Sequence, residues 1–372
     1  MTKYLVKNKK ELQEIIKTNS KPLTSLDVSN IIDMSFLFSN ISNVTFFDID
    51  SWDTSSVSNM GSMFEGCSSL ITIPLLDTSN VTDMSSMFRN CSSLITIPLF
   101  DTSNVSSMYC MFNGCSSLIT IPLLDTSNVT NIGYIFYNCT YLTTIPLLNT
   151  KNVSNMNSMF YNCTSLTTIP LLYTSSVSDM DSMFDSCTSL TSIPLLNTKN
   201  VTNIGYIFFN CTSLTTIPLF DTSNVTSMSF MFKGCSSLIT IPLLNTSSVA
   251  DMDYMFDSCT YLTSIPLLDT SNVTSMSSMF KGCSSLKEIP LLDTSNVTDM
   301  SFMFYGCSSL KAIPLLDTSN VSFTYSTVSN CTSLPLVDKV LFLDKSNNAF
   351  KRQIYLQMSK EQLQQTYNNL IV

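Results

Sequence analysis

Apolar residues in this chain follow a short spacing that restarts every 24 residues. In one clear copy, DTSNVTDMSSMFRNCSSLITIPLL from Asp77, the residues Val81, Met84, Met87, Phe88 and Cys91 stand at i, i+3, i+6, i+7 and i+10. That is the spacing of one buried stripe on an α-helix, and it predicts a short helix in each copy. The flanks agree. Thr78, Ser79 and Asn80 are good N-cap residues, and the position of Asn90 is held by Gly, Asn or Ser in all twelve copies, types that accept left-handed backbone at a helix C-terminus. Leu94 and Ile97, with Leu99 beyond Pro98, then read as a short strand stacking on its counterpart in the next copy. Pro74, Pro98 and nine more prolines at this offset, up to Pro314, each remove a backbone donor, so the strand must be brief or interrupted.

The register comes from cysteine: twelve of them, from Cys67 to Cys331, are spaced by 24 without a slip, and only Cys110 lies off the series. A less regular copy, Asp27 to Trp52, precedes the first and is two residues longer, as expected of a terminal coil. Larger blocks recur at 72 residues, with NIGYIF at Asn131 and Asn203 and DMD-x-MFDSCT at Asp179 and Asp251, as if three coils had been copied together. At the ends, Asn8 to Glu11 matches a capping box ahead of the amphipathic Leu12, Ile15 and Ile16, and Ser359 to Gln362 begins a similar helix. The expected organisation is a helical N-terminal cap at 1–26, a solenoid at 27–334 and a C-terminal cap with a helix at 335–372. The solenoid comprises an opening coil at 27–52 and twelve 24-residue coils, the last incomplete. The fold class is an α/β repeat solenoid, a right-handed stack of coils, each with a short strand and a short helix.

Composition narrows the function. Apolar residues make up 44% and charged residues 12%, so a large core is joined to a polar but weakly charged surface. A net charge of −9 argues against nucleic acid or an anionic membrane as partner, since both reward Lys and Arg. The N-terminal segment lacks the apolar run of a signal peptide, no stretch approaches the ~18 residues of a membrane span, and location stays open. There is no histidine, which excludes Ser-His-Asp and Cys-His sites and His-ligated zinc, and no CxxC pair. Neither an enzyme nor a cofactor is therefore expected. Equivalent cysteines in stacked coils would hold their Cβ atoms near the ~4.8 Å coil spacing, beyond the ~3.8 Å a disulfide prefers, so they read as buried reduced thiols. Cys110, off the register, is expected to be more exposed. The methionines, replaced by Ile132, Ile135, Ile204 and Ile207 in two coils, read as core.

Asp53, Asp77, Asp101, Asp125, Asp221, Asp269, Asp293 and Asp317 would form an acidic row, broken by Asn149, Tyr173, Asn197 and Asn245. At ~5 Å in water, neighbours would repel by roughly 0.8 kcal/mol, so the carboxylates must be solvated, bonded to turn amides or bound to cations. Asx-turn bonding to the following Ser and Asn amides is the plainer reading. Calcium is the alternative, with Asp179, Asp181 and Asp185, and again Asp251, Asp253 and Asp257, as local oxygen clusters. The positions free to vary among copies are those of 83, 85, 86 and 89, on the helix face opposite the stripe and hence expected to be exposed. Aromatic residues recur there: Tyr134, Tyr206, Phe230 and Tyr254 at one offset, Tyr137, Tyr161 and Phe209 at another. An exposed aromatic row is a candidate binding surface for a protein or glycan, the other reading being that the rings cover seams between helices.

The string DTSNVT-x-M-x-x-MF-x-x-C-x-SL resembles the BspA-like, Mycoplasma-type (DUF285) surface-repeat family, a variant of the leucine-rich repeats. Asp77, Thr78, Asn80, Val81, Met84, Met87, Phe88, Cys91 and Leu94 match together, and the set recurs over about five sixths of the chain. The 24-residue period and the IPLL segment depart slightly from the commoner repeat lengths of that family. The resemblance implies a leucine-rich-repeat-like stack, cell-surface or extracellular display, and adhesion to other proteins. The function expected is a non-catalytic interaction or adhesion scaffold, with a structural spacer such as a phage-fibre or envelope component, or an intracellular adaptor, as alternatives.

Overall fold

A computed structural model describes residues 3–344 and 355–371. The chain divides into two compact units, Met1–Asp179 and Met180–Val372, each a stack of 24-residue coils joined by parallel bridges.

The coil itself is built from turns. Met84, Ser86, Phe88 and Asn90 donate their N–H groups to the carbonyls of Ser107, Tyr109, Met111 and Asn113 in the next coil, at 3.2, 2.8, 2.9 and 2.6 Å. Between them, Met87, Arg89 and Cys91 donate backwards to Met84, Ser86 and Phe88 at 3.2, 3.0 and 3.0 Å. Alternate amides thus run along the stack and close turns within the coil, where an α-helix would send every one to i−4. The cause is local. Ser86 and Asn90 have φ of 57° and 59°, each at the third position of a turn, the geometry of type II. A left-handed residue breaks an α-helix, and two of them four residues apart leave no room for one. The helix predicted at 81–91 is therefore replaced by a parallel backbone ladder, with the bridges Asn59 to Asp83 and Asp83 to Ser107 as its regular points. The strand expected at 94–99 is reduced to one inter-coil bond, Ile95 N–H to the Ile71 carbonyl at 3.2 Å, before proline interrupts it.

The inward side chains are those the apolar pattern picks out. Val81, Met84, Met87, Phe88, Cys91 and Leu94 are fully buried, and Ile97 and Phe100 nearly so. Equivalent phenylalanines stack along each unit. In the first, Phe64, Phe88, Phe112, Phe136 and Phe160 are separated by 5.7, 5.8, 5.8 and 5.7 Å between ring centroids, and in the second Phe208, Phe232, Phe256 and Phe280 by 5.7, 5.6 and 5.6 Å. Near-parallel rings at that spacing are offset-stacked and fill the coil centre.

Polar ladders tie the coils at their corners. The Thr78 hydroxyl donates to the Asp101 carbonyl of the next coil (2.8 Å), and the Asn80 amide donates to the Ser55 carbonyl of the previous one (2.7 Å). Cysteine is a core residue with a donor: the Cys91 thiol reaches the Phe64 carbonyl of the previous coil at 3.0 Å, and the same oxygen accepts the Cys67 N–H at 3.1 Å. Serine would be too polar for this pocket, and alanine would leave a void and no bond.

At the N-terminus β1 (Tyr4–Leu5) pairs in parallel with β2 (Leu26–Asp27), and α1 (Lys9–Thr18) buries Leu12 and Ile15. Only half of the expected capping box forms there. Asn8 accepts from the Glu11 N–H at 3.1 Å, while the Glu11 carboxylate turns to the Lys7 N–H and the Tyr4 hydroxyl. At the other end α2 (Leu336–Leu343) sets Phe342 edge-on to Phe304, with centroids 5.9 Å apart. The last helix, α3 (Lys360–Leu370), packs on α2 and has the complete Ser359/Gln362 box.

Candidate functional site

The ladder segment carries the residues that differ from coil to coil. Its side chains at the offsets of 85, 86 and 89 sit on the outer side of the ladder, and in each unit the aromatic ones gather. In the first unit Tyr109 meets Tyr134 edge-on at 5.8 Å, Tyr134 leans on Tyr137 at 5.6 Å, and Tyr137 stacks on Tyr161 at 4.4 Å. In the second, Tyr206 stacks on Phe230 at 4.7 Å and Phe230 on Tyr254 at 4.8 Å, with Phe209 beside Tyr206 at 5.7 Å. Lys233 completes that cluster. Its ammonium lies 4.6 Å from the Tyr254 centroid and 5.4 Å from that of Phe230, and it pairs with the nearly buried Asp257 at 3.3 Å.

Two expectations change. The rings do not lie on a helix, and most are half-buried against one another; of the seven, only Tyr206, at 38%, is exposed. Inner rings therefore present edges and hydroxyls, their faces being covered by neighbours. Tyr109 and Lys233, which belong to these clusters, were not picked out from the sequence; a search for aromatics adjoining position 86, and for cations beside them, would have found both.

Backbone conformation adds a second observation. Tyr134, Tyr206, Phe230 and Tyr254 have φ of 57°, 53°, 61° and 57°. Left-handed backbone is uncommon for bulky side chains and costs on the order of 1 kcal/mol or more. Ser62, Ser86, Ser158, Ser182 and Ser278 occupy the same slot with φ of 55°, 57°, 50°, 53° and 56°, so the coil does not need a ring there.

The acidic row is held by Asx turns. The Asp77 carboxylate accepts from the Ser79 N–H at 3.0 Å and its hydroxyl at 2.6 Å, and Asp53, Asp101, Asp221, Asp269 and Asp293 repeat both bonds. The serine hydroxyl and then the serine N–H hold the carboxylates of Asp53, Asp101, Asp221, Asp269 and Asp293 below their usual range. The carboxylates offered as calcium ligands have other partners. Asp251 accepts from the Asp253 N–H and the Ser229 hydroxyl, Asp253 from the Ser275 hydroxyl and the Ser277 N–H, and Asp257 pairs with Lys233. Asp179 closes the first unit, Asp181 lies in the second, and Asp185 is buried, which lifts its pKa to about 6 against the opposing bond from Ser186. Among the described residues no group of three or more Cys, Asp or Glu side chains could hold a metal ion.

All thirteen cysteines are free and buried. Cys110 contradicts its expected exposure: it is only 6% exposed, its thiol hydrogen-bonded with the Tyr109 side chain and 3.8 Å from the Asn113 amide, because a small side chain at this offset tucks between its neighbours. Burial raises the thiol pKa, to about 12 at Cys67 and about 11 at Cys331, and it raises that of Cys110 as well. Native protein should therefore show no rapid labelling by a thiol reagent at pH 8, and thirteen labels after unfolding; one fast site would return Cys110 to the surface.

Among the described residues no helix is long and apolar enough to cross a membrane. The family model described as "Mycoplasma protein of unknown function, DUF285" matches residues 6–118, 69–170, 93–193, 138–240, 164–262 and 239–336. No protein of curated function matches. Similar solved structures include a leucine-rich cell surface protein from Faecalibacterium prausnitzii, 26% identical over 72% of this chain and 78% of that one, with a TM-score of 0.47. A leucine-rich repeat protein from Bacteroides ovatus is 20% identical over 74% and 80% (TM-score 0.43), and one from Eubacterium ventriosum 17% over 71% and 83% (TM-score 0.42). With overlapping matches that reach from residue 6 to residue 336, the chain belongs to the DUF285 family of Mycoplasma-type repeat proteins.

Proposed function

We propose that this protein is a non-catalytic scaffold that binds another protein through the ring clusters of its ladder face: Tyr134, Tyr137 and Tyr161 in the first unit, Tyr206, Phe209, Phe230 and Tyr254 in the second. The observation that carries this reading is the backbone of Tyr134, Tyr206, Phe230 and Tyr254. Each places a bulky ring in left-handed conformation at a slot where other coils use serine. The coil imposes that backbone in every copy and serine suffices for it, so folding does not call for the rings. A protein fits better than a glycan, because sugar recognition uses open ring faces and the inner rings here cover one another, whereas ring edges and phenol hydroxyls suit peptide surfaces. Adhesion at a cell surface is the form of binding that the family resemblance suggests.

The test begins with arrays of extracellular proteins and of glycans probed with the full chain. A saturable protein ligand is then titrated against the variant carrying Tyr137→Ser, Tyr161→Ser and Phe209→Ser. Loss of about 2 kcal/mol or more of binding, roughly thirtyfold, is expected with little change in thermal unfolding. Unchanged affinity would move the site elsewhere, and a collapse in stability would make the rings core.

A further inference from the structure

The segment that the sequence offers as a strand presents a second surface. The leucine that follows the proline is exposed in all eleven coils that carry the pair. In the second unit Leu195, Leu219, Leu243, Leu267, Leu291 and Leu315 are between 44% and 63% exposed. The outer positions of the ladder vary from coil to coil, but this one is leucine in all eleven coils that carry the proline. No burial within the coil explains it.

We propose that the leucine row of the second unit is a homodimer interface, covered by the same row of a second copy of this chain, with the twofold axis running along the row. Three properties choose that occupant. The first is area: at roughly 100 Å² for each exposed leucine, the row offers about 600 Å² per copy, and the adjoining prolines, threonines and Ile239 bring it towards the ~800 Å² per partner of a standard specific interface. The second is period. A leucine every ~4.8 Å meshes along its full length only with a surface of the same repeat, which a second copy supplies.

The third is charge. Exposed Asp293 and Asp317 stand two residues after Leu291 and Leu315, and exposed Lys311 stands four residues before Leu315, while Lys287, at the same offset before Leu291, has the exposed Glu288 beside it; the row thus has an acidic border along both coils and a net basic one at the Lys311 coil. A twofold axis along the row sets the basic border of one copy against the acidic border of the other. An axis across the row would oppose aspartate to aspartate. Complementary borders fix which of the two forms.

The measurement is sedimentation velocity of the full chain over a concentration series around about 10 μM, a range in which standard-sized interfaces associate. Wild type is expected to dimerise, and Leu243→Ser with Leu267→Ser to be monomeric with unchanged circular dichroism and unfolding temperature, since both side chains are exposed. Lys287→Glu with Lys311→Glu should weaken the dimer about tenfold or more at low salt, and adding Asp293→Lys with Asp317→Lys should restore it. A wild type that stays monomeric overturns the proposal. So does a dimer indifferent to the leucine changes or to charge reversal, and so does a monomer that floats with neutral phosphatidylcholine vesicles, which would assign the row to lipid. These outcomes are independent of the ring clusters, whose variant should dimerise as wild type does.

Discussion

Phe232→Ala is expected to destabilise the protein by about 3–5 kcal/mol, whereas Phe230→Ser, two residues earlier, should change stability by no more than about 1 kcal/mol. Both rings stack on neighbours at similar distances: Phe232 on Phe208 and Phe256 at 5.7 and 5.6 Å, Phe230 on Tyr206 and Tyr254 at 4.7 and 4.8 Å. Their surroundings decide the outcome. Phe232 is fully buried, its carbonyl receives the Cys259 thiol at 3.0 Å, and alanine would leave a cavity inside a coil that the coils on either side prevent from collapsing. Phe230 is half-buried on the ladder's outer side, in left-handed backbone that serine holds natively at Ser182 and Ser278. Its loss removes stacking at a partly exposed site and leaves no sealed cavity. Urea unfolding of the two variants beside wild type makes the comparison; equal losses would mean that the outer rings are core.

The core was legible before the structure because burial leaves a periodic trace. Val81, Met84, Met87, Phe88, Cys91 and Leu94 are all inside as read, the cysteines are reduced and buried, the aspartates sit in Asx turns, and Asn90 is left-handed. The helix was misread because consecutive turns also turn one residue in about three inward. Counting the adjacent Met87 and Phe88 as one position, the buried positions from Val81 to Phe100 advance nineteen residues in six steps, about 3.2 per step against the 3.6 of an α-helix, and a short window does not separate the two. The second left-handed position was hidden for a different reason. Its occupants, Ser86, Cys110, Tyr134 and Phe230 among them, are not residues that signal such backbone, so no propensity marks it. Cys110 went with it, since a side chain on a helix face would have been exposed and one on a turn ladder is not. The leucine row was visible as a pattern but was assigned to a strand, whose outward face draws no attention until its exposure is known.

Deleting residues 77–148, three whole coils of the first unit, should yield a soluble, cooperatively folded, shorter protein with no reactive thiol, because every severed contact meets an equivalent partner. The Met60, Ser62 and Phe64 N–H groups, which reach the carbonyls of Asp83, Ser85 and Met87 at 3.0, 2.8 and 3.0 Å, would find Asn155, Asn157 and Met159 in the same places, and the Phe64 ring would stack on Phe160. Deleting residues 77–88 alone removes those three acceptors with Val81, Met84, Met87 and Phe88. Each orphaned buried amide costs about 1–3 kcal/mol and the lost core several more, a large part of the 5–15 kcal/mol that typically separates folded from unfolded chains. The chain then unfolds, or expels residues 89–100 as a loop that exposes Cys91. Thermal unfolding with thiol counting on this pair is the most direct test of the 24-residue coil as the structural unit: the 72-residue deletion should keep wild-type cooperativity and silent thiols while the 12-residue deletion loses one or both, and two variants that behave alike would contradict it.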